Sequence, residues 1–287
     1  MREYVIVTDS GCDIKEELLR DWGVSMIPLT FQFAGEDTVY TDADVPAKEF
    51  YDRMREGGVA KTSAINPYTF EEYFAQILGE GKDVLYLAFS SGLSTTYNSS
   101  KMAAEELKER FPDQQVVTVD TLAASAGQGL IVYLVAQKQK EGATLEEAVV
   151  YAQSVAPKMC HWVTVDDLEY LKRGGRISPT VAFVGTVLGI KPIIHVDDEG
   201  HLVSVGKAKG RKAALNTLRK QLEETVIDKA APVFISAADA IEDAELLKDM
   251  LESMSGVKVE LITGIGPVIG SHAGPGTIAL FFLGKER

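Results

Sequence analysis

Four short stretches of this chain gather hydroxyl groups, glycines and a histidine where a predicted strand runs out. They are Thr8-Asp9-Ser10, Thr62-Ser63, Ser90-Ser91-Gly92-Leu93-Ser94 and Gly270-Ser271-His272-Ala273-Gly274-Pro275-Gly276. Clefts in α/β folds open at strand ends, so these are the places where a ligand would be met. A helix beginning near Ser94 offers unpaired backbone N–H groups and the positive end of its dipole, which together receive one carboxylate or phosphate. The hydroxyls of Ser91 and Ser94 add donors, but either serine also reads as an ordinary N-cap. Thr62-Ser63 reads as an anion donor or as a turn whose hydroxyls bond their own backbone. Asp9 reads as a ligand or base, or as the acceptor for the turn that follows it. His272 lies in what reads as a flexible loop, where it donates to an anion, acts as a base or is incidental. A fifth stretch, Leu171-Lys172-Arg173-Gly174-Gly175-Arg176-Ile177-Ser178, has glycines that let backbone approach an anion. A solvated helix C-terminus has the same composition.

Several chemistries lack their usual residues. No G-x-x-x-x-G-K-[ST] loop, no G-x-G-x-x-G after the first strand, no H-E-x-x-H and no G-x-S-x-G is present. Many hydroxyl donors, one histidine and few candidate bases suit holding an anion better than breaking a bond. The competing reading is a serine-dependent lipid or ester hydrolase, with Ser94 or Ser91 as nucleophile, His272 as base and Asp9 as orienter. The missing nucleophile elbow counts against it. Cys12 and Cys160 form no C-x-x-C pair, and His161, His195 and His201 have no metal-ligand spacing, so neither a metal nor a cofactor is expected. A net charge of −13 over 287 residues argues against nucleic acid and against an anionic membrane surface. No apolar run reaches the roughly 18 residues of a membrane span. With no signal-peptide pattern and two free thiols, a cytoplasmic location is expected.

The elements that must position these residues follow from periodicity and punctuation. Strands are predicted over 4–7, 84–89 and 115–119, with helices over 13–21, 46–55, 69–78, 95–109 and 127–140. Such alternation implies a parallel sheet with right-handed crossovers. Asp13 with Glu16 resembles a capping box for the first of these helices. Residues 24–33 and 38–40 resemble a hairpin about the turn at 34–37. Thr144 is expected to cap one more helix that stops near Pro157. Beyond it the rhythm changes. Strands are predicted over 161–165, 191–196, 201–207, 232–236, 257–263 and 277–283, with helices over 166–172, 180–188, 209–224 and 241–255. The turn Asp197-Asp198-Glu199-Gly200 joins an antiparallel pair. The fold class is therefore α/β with two domains. A parallel-sheet α/β domain over 1–156 precedes an α+β domain over 157–287 with a mixed or largely antiparallel sheet.

In order along the chain, these stretches resemble the DegV family of bacterial fatty-acid-binding proteins. The resemblance rests on Val7-Thr8-Asp9-Ser10, on Lys61-Thr62-Ser63 followed by Pro67, and on Ser90-Ser91-Gly92-Leu93-Ser94-Thr95-Thr96-Tyr97-Asn98-Ser99. It continues through Asp167-Leu168-Glu169-Tyr170-Leu171-Lys172-Arg173-Gly174-Gly175-Arg176-Ile177 and His272-Ala273-Gly274-Pro275-Gly276. The resemblance implies a long-chain fatty acid in an apolar tunnel, with its carboxylate near the domain junction. Thr62, Ser94 and His272 would be the carboxylate ligands and Ser63 and Ser91 their neighbours. It implies a lipid-binding subunit without catalysis of its own, serving a separate fatty acid kinase that makes acyl phosphate for phospholipid synthesis. Arg173 would serve the kinase step. Lys207, Lys209 and Arg211 form a further basic segment without an assigned role. Thr95 departs from the glycine that the family often has there, so a side chain borders the head-group approach. A storage or transport protein without a kinase is the alternative within the same chemistry.

Overall fold

The structure is a computed structural model that describes residues 2–177 and 189–287. The helix predicted over 180–188 lies outside the described residues.

The first half is built on strands that are apolar on both faces. β1 (Tyr4–Asp9) runs into a short 3-10 turn, then α1 (Glu16–Trp22), β2 (Val24–Ile27), β3 (Thr30–Phe33) and β4 (Tyr40–Thr41) follow. Next come α2 (Ala47–Arg55), β5 (Ala60–Ser63), α3 (Pro67–Gly79), β6 (Asp83–Ala88), α4 (Thr96–Arg110), β7 (Val116–Asp120), α5 (Ala126–Lys140) and α6 (Leu145–Val155). β2, β1, β6 and β7 form a parallel sheet in that order. Every residue of β6 is buried, as a strand covered on both faces by crossover helices should be. A small antiparallel sheet, β4-β3-β5, sits beside it. Thr144 caps α6 in a reciprocal box with Glu147.

The second half begins with β8 (Met159–Thr164), α7 (Glu169–Arg173), β9 (Ile190–Val196) and β10 (Leu202–Lys209). α8 (Arg211–Thr225), β11 (Val233–Ala237), α9 (Ile241–Glu252), β12 (Val259–Gly264), α10 (Pro267–Ala273) and β13 (Ile278–Leu283) complete the described residues. Its sheet has the order β10-β9-β8-β13-β11-β12, antiparallel except for the β11–β12 pair. The expected mixed, largely antiparallel sheet is present. Helix α5 is buried on every side from Ala126 to Val132 because it packs between the two main sheets, with Phe234 and Phe281 in the same apolar cluster. α10 in turn lies against the first half, with Val268 in the cluster of Phe31, Phe50 and Tyr51.

Three local expectations need correction. Asp13 does not cap α1. It closes the 3-10 turn in a left-handed conformation, φ 52°, and the residue before the helix is Lys15. Its carboxylate is buried and bonded to distant groups, accepting from Ser125 Oγ and from Gly266 N. The helix predicted from 166 starts only at Glu169, because Asp167 Oδ1 accepts from Glu169 N and Asp166 is drawn outward to Lys191 and Arg211. The glycine-rich stretch around His272 is not a flexible loop. Its first part is the last turn of α10. Gly270 looked like a breaker, yet it is inside the helix because a Cβ there would come 2.4 Å from the Tyr51 hydroxyl oxygen. A small residue lets α10 and α2 touch.

Candidate functional site

The five hydroxyl and histidine candidates gain their positions from three places far apart in sequence: β5, the loop before α4, and α10. Thr62 and Ser63 end β5, opposite Phe31 and Thr30 of β3. They lie in a strand rather than the turn that their types alone allow. Thr62 is half-buried and Ser63 exposed. Thr62 Oγ1 and His272 Nε2, 210 positions apart, share a hydrogen bond of 2.8 Å. Ser94 precedes α4, whose first residue is Thr96. Its Oγ accepts from Thr96 N at 3.2 Å and shares a hydrogen with Thr96 Oγ1 at 2.8 Å. Ser94, one residue before the N-cap Thr95, thus both bonds the first N–H of its helix and forms a wall of a cavity. Ser91 is exposed on the same rim, its N–H donating to Asp120 Oδ1.

The loop that holds these serines is pressed onto the second half of the chain. Ser90 Oγ donates to Gly200 O at 2.8 Å, in the turn between β9 and β10. A Cβ on Gly92 would come 2.7 Å from Glu199 O, so only glycine fits.

Thr62, Ser63, Ser91, Ser94 and His272 all line one cavity of about 460 Å³. Its other walls are largely apolar, including Leu29, Phe89, Leu171, Leu202 and Ile269. That volume lies in the range of roughly 300–1,000 Å³ typical of small-molecule sites. The walls come from both halves of the chain, as a site at the junction requires. Thr95 is exposed and lines the same cavity, so its side chain does border this space.

Arg176 also lines the cavity, and sequence reasoning missed it. Its Nε donates to Leu93 O at 3.1 Å and its Nη1 to Gly174 O at 2.6 Å. The detectable signal was the glycine before it. Gly175 has φ 67°, which turns the chain back after α7 and brings the second arginine of the R-G-G-R stretch inward. Arg173, singled out from sequence, is exposed, with its guanidinium 5.1 Å from the centre of the Tyr170 ring, and is not among the cavity walls.

Burial, with Arg176 and Arg173 nearby, pushes His272 down to about 4. The ring is neutral near pH 7 and carries one N–H. Its Nδ1 is buried without a partner among the described residues. A buried polar atom of this kind calls for an explanation.

Asp9 is not part of this constellation. Its carboxylate is fully buried and accepts from Tyr86 Oη at 2.5 Å, Phe89 N at 3.0 Å and Gly11 N at 3.0 Å. It ties the ends of β1 and β6 together, and it does not orient His272. The hydrolase arrangement is therefore not assembled, since the partner of His272 is Thr62. Asp9→Ala would leave three buried donors without an acceptor, each costing about 1–3 kcal/mol. Urea unfolding of that variant is expected to show a loss of at least about 3 kcal/mol, or no cooperative transition at all.

A wider cleft of about 760 Å³ is bordered by Tyr51 and Arg55 of α2 and by Ile265 and Pro275, which flank α10. Its walls carry Arg55 paired with Asp239, and Arg211 paired with Asp166 and Asp243. An acyl chain there would strip water from these ion pairs without replacing it, so the smaller cavity is the better lipid site. Arg211 is thereby used inside this cleft, whereas Lys207 and Lys209 are exposed. Among the described residues no group of three or more His, Cys, Asp or Glu is placed to hold a metal. No described helix is long and apolar enough to cross a membrane.

Fold and cavity together define an α/β protein with a largely apolar pocket, rimmed by hydroxyls and an imidazole, whose walls come from both halves of the chain. A family model described as "Uncharacterised protein, DegV family" matches residues 3–285, and the chain belongs to that family. It is 44% identical over 291 positions to a DegV domain-containing protein of Clostridium perfringens, spanning 100% of this chain and 99% of that one. A solved DegV family protein from Thermus thermophilus, described for its fatty acid binding, superposes with a TM-score of 0.88 at 32% identity over 99% of this chain and 100% of that one. A DegV lipid-binding protein from Thermotoga maritima gives a TM-score of 0.87 at 30% identity over 99% of both chains.

Proposed function

We propose that the protein binds a long-chain fatty acid in the 460 Å³ cavity, with the carboxylate received by Thr62, Ser94 and His272 and with Ser63 and Ser91 beside them. Arg176 supplies the counter-charge. The observation that carries this reading is the Thr62–His272 pair, a neutral donor set at the rim of an apolar cavity. A carboxylate beside apolar walls is tolerable only with several hydrogen bonds to it. The acyl chain supplies most of the affinity, at about 0.8 kcal/mol per buried methylene, or more than about ten kcal/mol for a chain of roughly sixteen carbons before ordering costs.

The bound acid is presented to a separate fatty acid kinase, which phosphorylates it to acyl phosphate. The support is the family resemblance and a chain without a nucleotide-binding loop. Arg173, exposed at the end of α7, is the residue that serves the kinase step. The domains divide at 156/157, between the strands of the two main sheets. Cys12 and Cys160, both buried and unpaired, fit a reducing cytoplasm.

Freshly purified protein is expected to carry a long-chain acid, seen by native mass spectrometry as a mass increment and by lipid extraction as a free acid. Delipidation is expected to lower its melting temperature, and re-adding the acid to restore it, by mass action. An extract without acid, together with no binding of added palmitate, overturns the reading. Acyl phosphate is expected only when a kinase is added, and turnover of ATP by the purified chain alone counts against a carrier.

A further inference from the structure

His272 owes its place to α10, and α10 has no side-chain cap of its own. The residue before it, Gly266, has no side chain, and the first helical residue is Pro267. The helix start is satisfied instead by two carboxylates from the other half of the chain. Asp13 Oδ1 accepts from Gly266 N at 2.8 Å, and Asp42 Oδ1 accepts from Val268 N at 2.9 Å. The two carboxylates are neighbours, for a Cβ built on Gly266 would lie 3.1 Å from Asp42 Oδ2 and 3.2 Å from Asp13 Oδ1. Ser125 donates to Asp13, and Thr263 Oγ1 donates to the Asp13 backbone carbonyl at 2.7 Å. Tyr51 Oη, which also meets Gly270, donates to Ile265 O at 2.8 Å, one residue before Gly266.

We propose that Asp13 and Asp42 are positioning residues for the head-group site: a carboxyl pair, Asp13 buried and Asp42 half-buried, that clamps the start of α10 and so holds His272 against Thr62. The proposal deepens the fatty-acid reading and rests on it only for its binding consequence. It explains why two carboxyl groups lie side by side at this helix start. Negative charge at a helix start is favourable, and each oxygen on a backbone N–H fixes the helix along its axis. With α10 only seven residues long, its last turn follows its first.

The titratable groups around the pair are Asp9 and Cys12 from the end of β1 and Tyr51 from α2, with the Arg55–Asp239 ion pair beyond Tyr51. Arg55, the cation in that set, is held by Asp239 and Asp52. Desolvation pushes Asp42 up to about 6, and burial, with the Asp42 charge a smaller cause, raises Asp13 well above the usual carboxylate range. As pH falls through 6, Asp42 takes a proton and its grip on Val268 N weakens. His272 itself protonates only near 4. An inflection of the His272 ring near pH 6 consequently reports the Asp13–Asp42 pair and not the ring itself, and Asp42→Asn assigns it within the pair.

The test follows the His272 ring nitrogens by 15N NMR against pH and measures palmitate affinity on the same samples. Wild type is expected to show an inflection near pH 6. Asp42→Asn keeps an oxygen for Val268 N and is expected to keep palmitate affinity within about twofold at pH 7.5, but to lose that inflection. Asp42→Ala removes the acceptor and is expected to shift the His272 signals and weaken palmitate about tenfold, as loss of a helix cap does. The proposal fails if Asp42→Asn keeps the inflection, or if a folded Asp42→Ala leaves the His272 signals unchanged. If wild type binds no palmitate, the fatty-acid reading fails while the His272 signals still decide the clamp. If Asp42→Ala does not fold, the pH profile of Asp42→Asn decides it alone.

Discussion

Gly174→Ala is expected to weaken fatty-acid binding by roughly tenfold to a hundredfold, the equivalent of losing a hydrogen bond to a charged group, while leaving the fold intact. Gly174 follows α7 with φ −73° and ψ −9°, a conformation open to any L-residue. Alanine is therefore not strained there, and near a helix end it restricts the unfolded chain more than glycine does. The added methyl meets something else. It would lie 2.2 Å from His272 Nδ1, 3.1 Å from Cε1 and 3.2 Å from Cγ. Real atoms do not approach so closely, so the imidazole must tilt away and loosen its bond to Thr62. Palmitate titration of Gly174→Ala checks the loss, and urea unfolding checks that stability is within about 1 kcal/mol of wild type. In a His272→Ala background the same glycine change is expected to cost nothing further, because the atoms it displaces are gone. Full affinity in Gly174→Ala would mean that the ring is not a carboxylate ligand. A large loss of stability would mean that the backbone yields instead.

The same pair shows what the sequence could and could not reveal. The alternation of apolar strands and helices was legible because each signal is local. β6 is a run of apolar residues, and α6 opens with Thr144 three positions before Glu147. The change of rhythm after Pro157 was likewise visible as the turn Asp197–Gly200. The errors fall where a distant partner decides. Gly270 breaks a helix by propensity, but Tyr51 requires glycine there, so α10 exists and His272 is on it. Asp13 and Glu16 have the spacing of a capping box, but Asp13 is claimed by Ser125 and Gly266, over a hundred positions away. Asp9 is claimed by Tyr86 and Phe89. Thr62, Ser94 and His272 were named through family resemblance, because nothing local distinguishes a ligating hydroxyl from a capping one. Ser94 shows why: here one hydroxyl bonds the start of α4 and faces the cavity as well.

Arg176 and Arg173 are expected to part company when each is removed. Arg176→Ala takes away a guanidinium that ties Leu93 O, beside Ser94, to Gly174 O, beside His272. It removes the cavity's counter-charge and loosens both flanks of the head-group site together. The loss expected is about 1.5–3 kcal/mol of binding, as for a hydrogen bond to a charged group, so palmitate affinity falls by at least roughly tenfold. Arg176→Lys keeps the charge but not the planar fork that spans the two carbonyls, and is expected to recover only part of that loss. Ser94→Ala removes one donor and leaves the others, for a loss of about 1–3 kcal/mol. Arg173→Ala changes an exposed side chain outside the cavity walls. It is expected to keep palmitate affinity within about threefold and yet slow acyl phosphate formation in a coupled assay with an added fatty acid kinase. The physical reason is that a surface arginine offered to developing phosphoryl charge acts in the transition state and adds little to ground-state binding. Acid binding and coupled turnover, measured on the same four variants, separate the roles. Equal losses of acid binding in Arg173→Ala and Arg176→Ala would place both arginines at the head group. Unchanged coupled turnover in Arg173→Ala would remove it from the kinase step and leave Arg176 as the arginine of this stretch with a function.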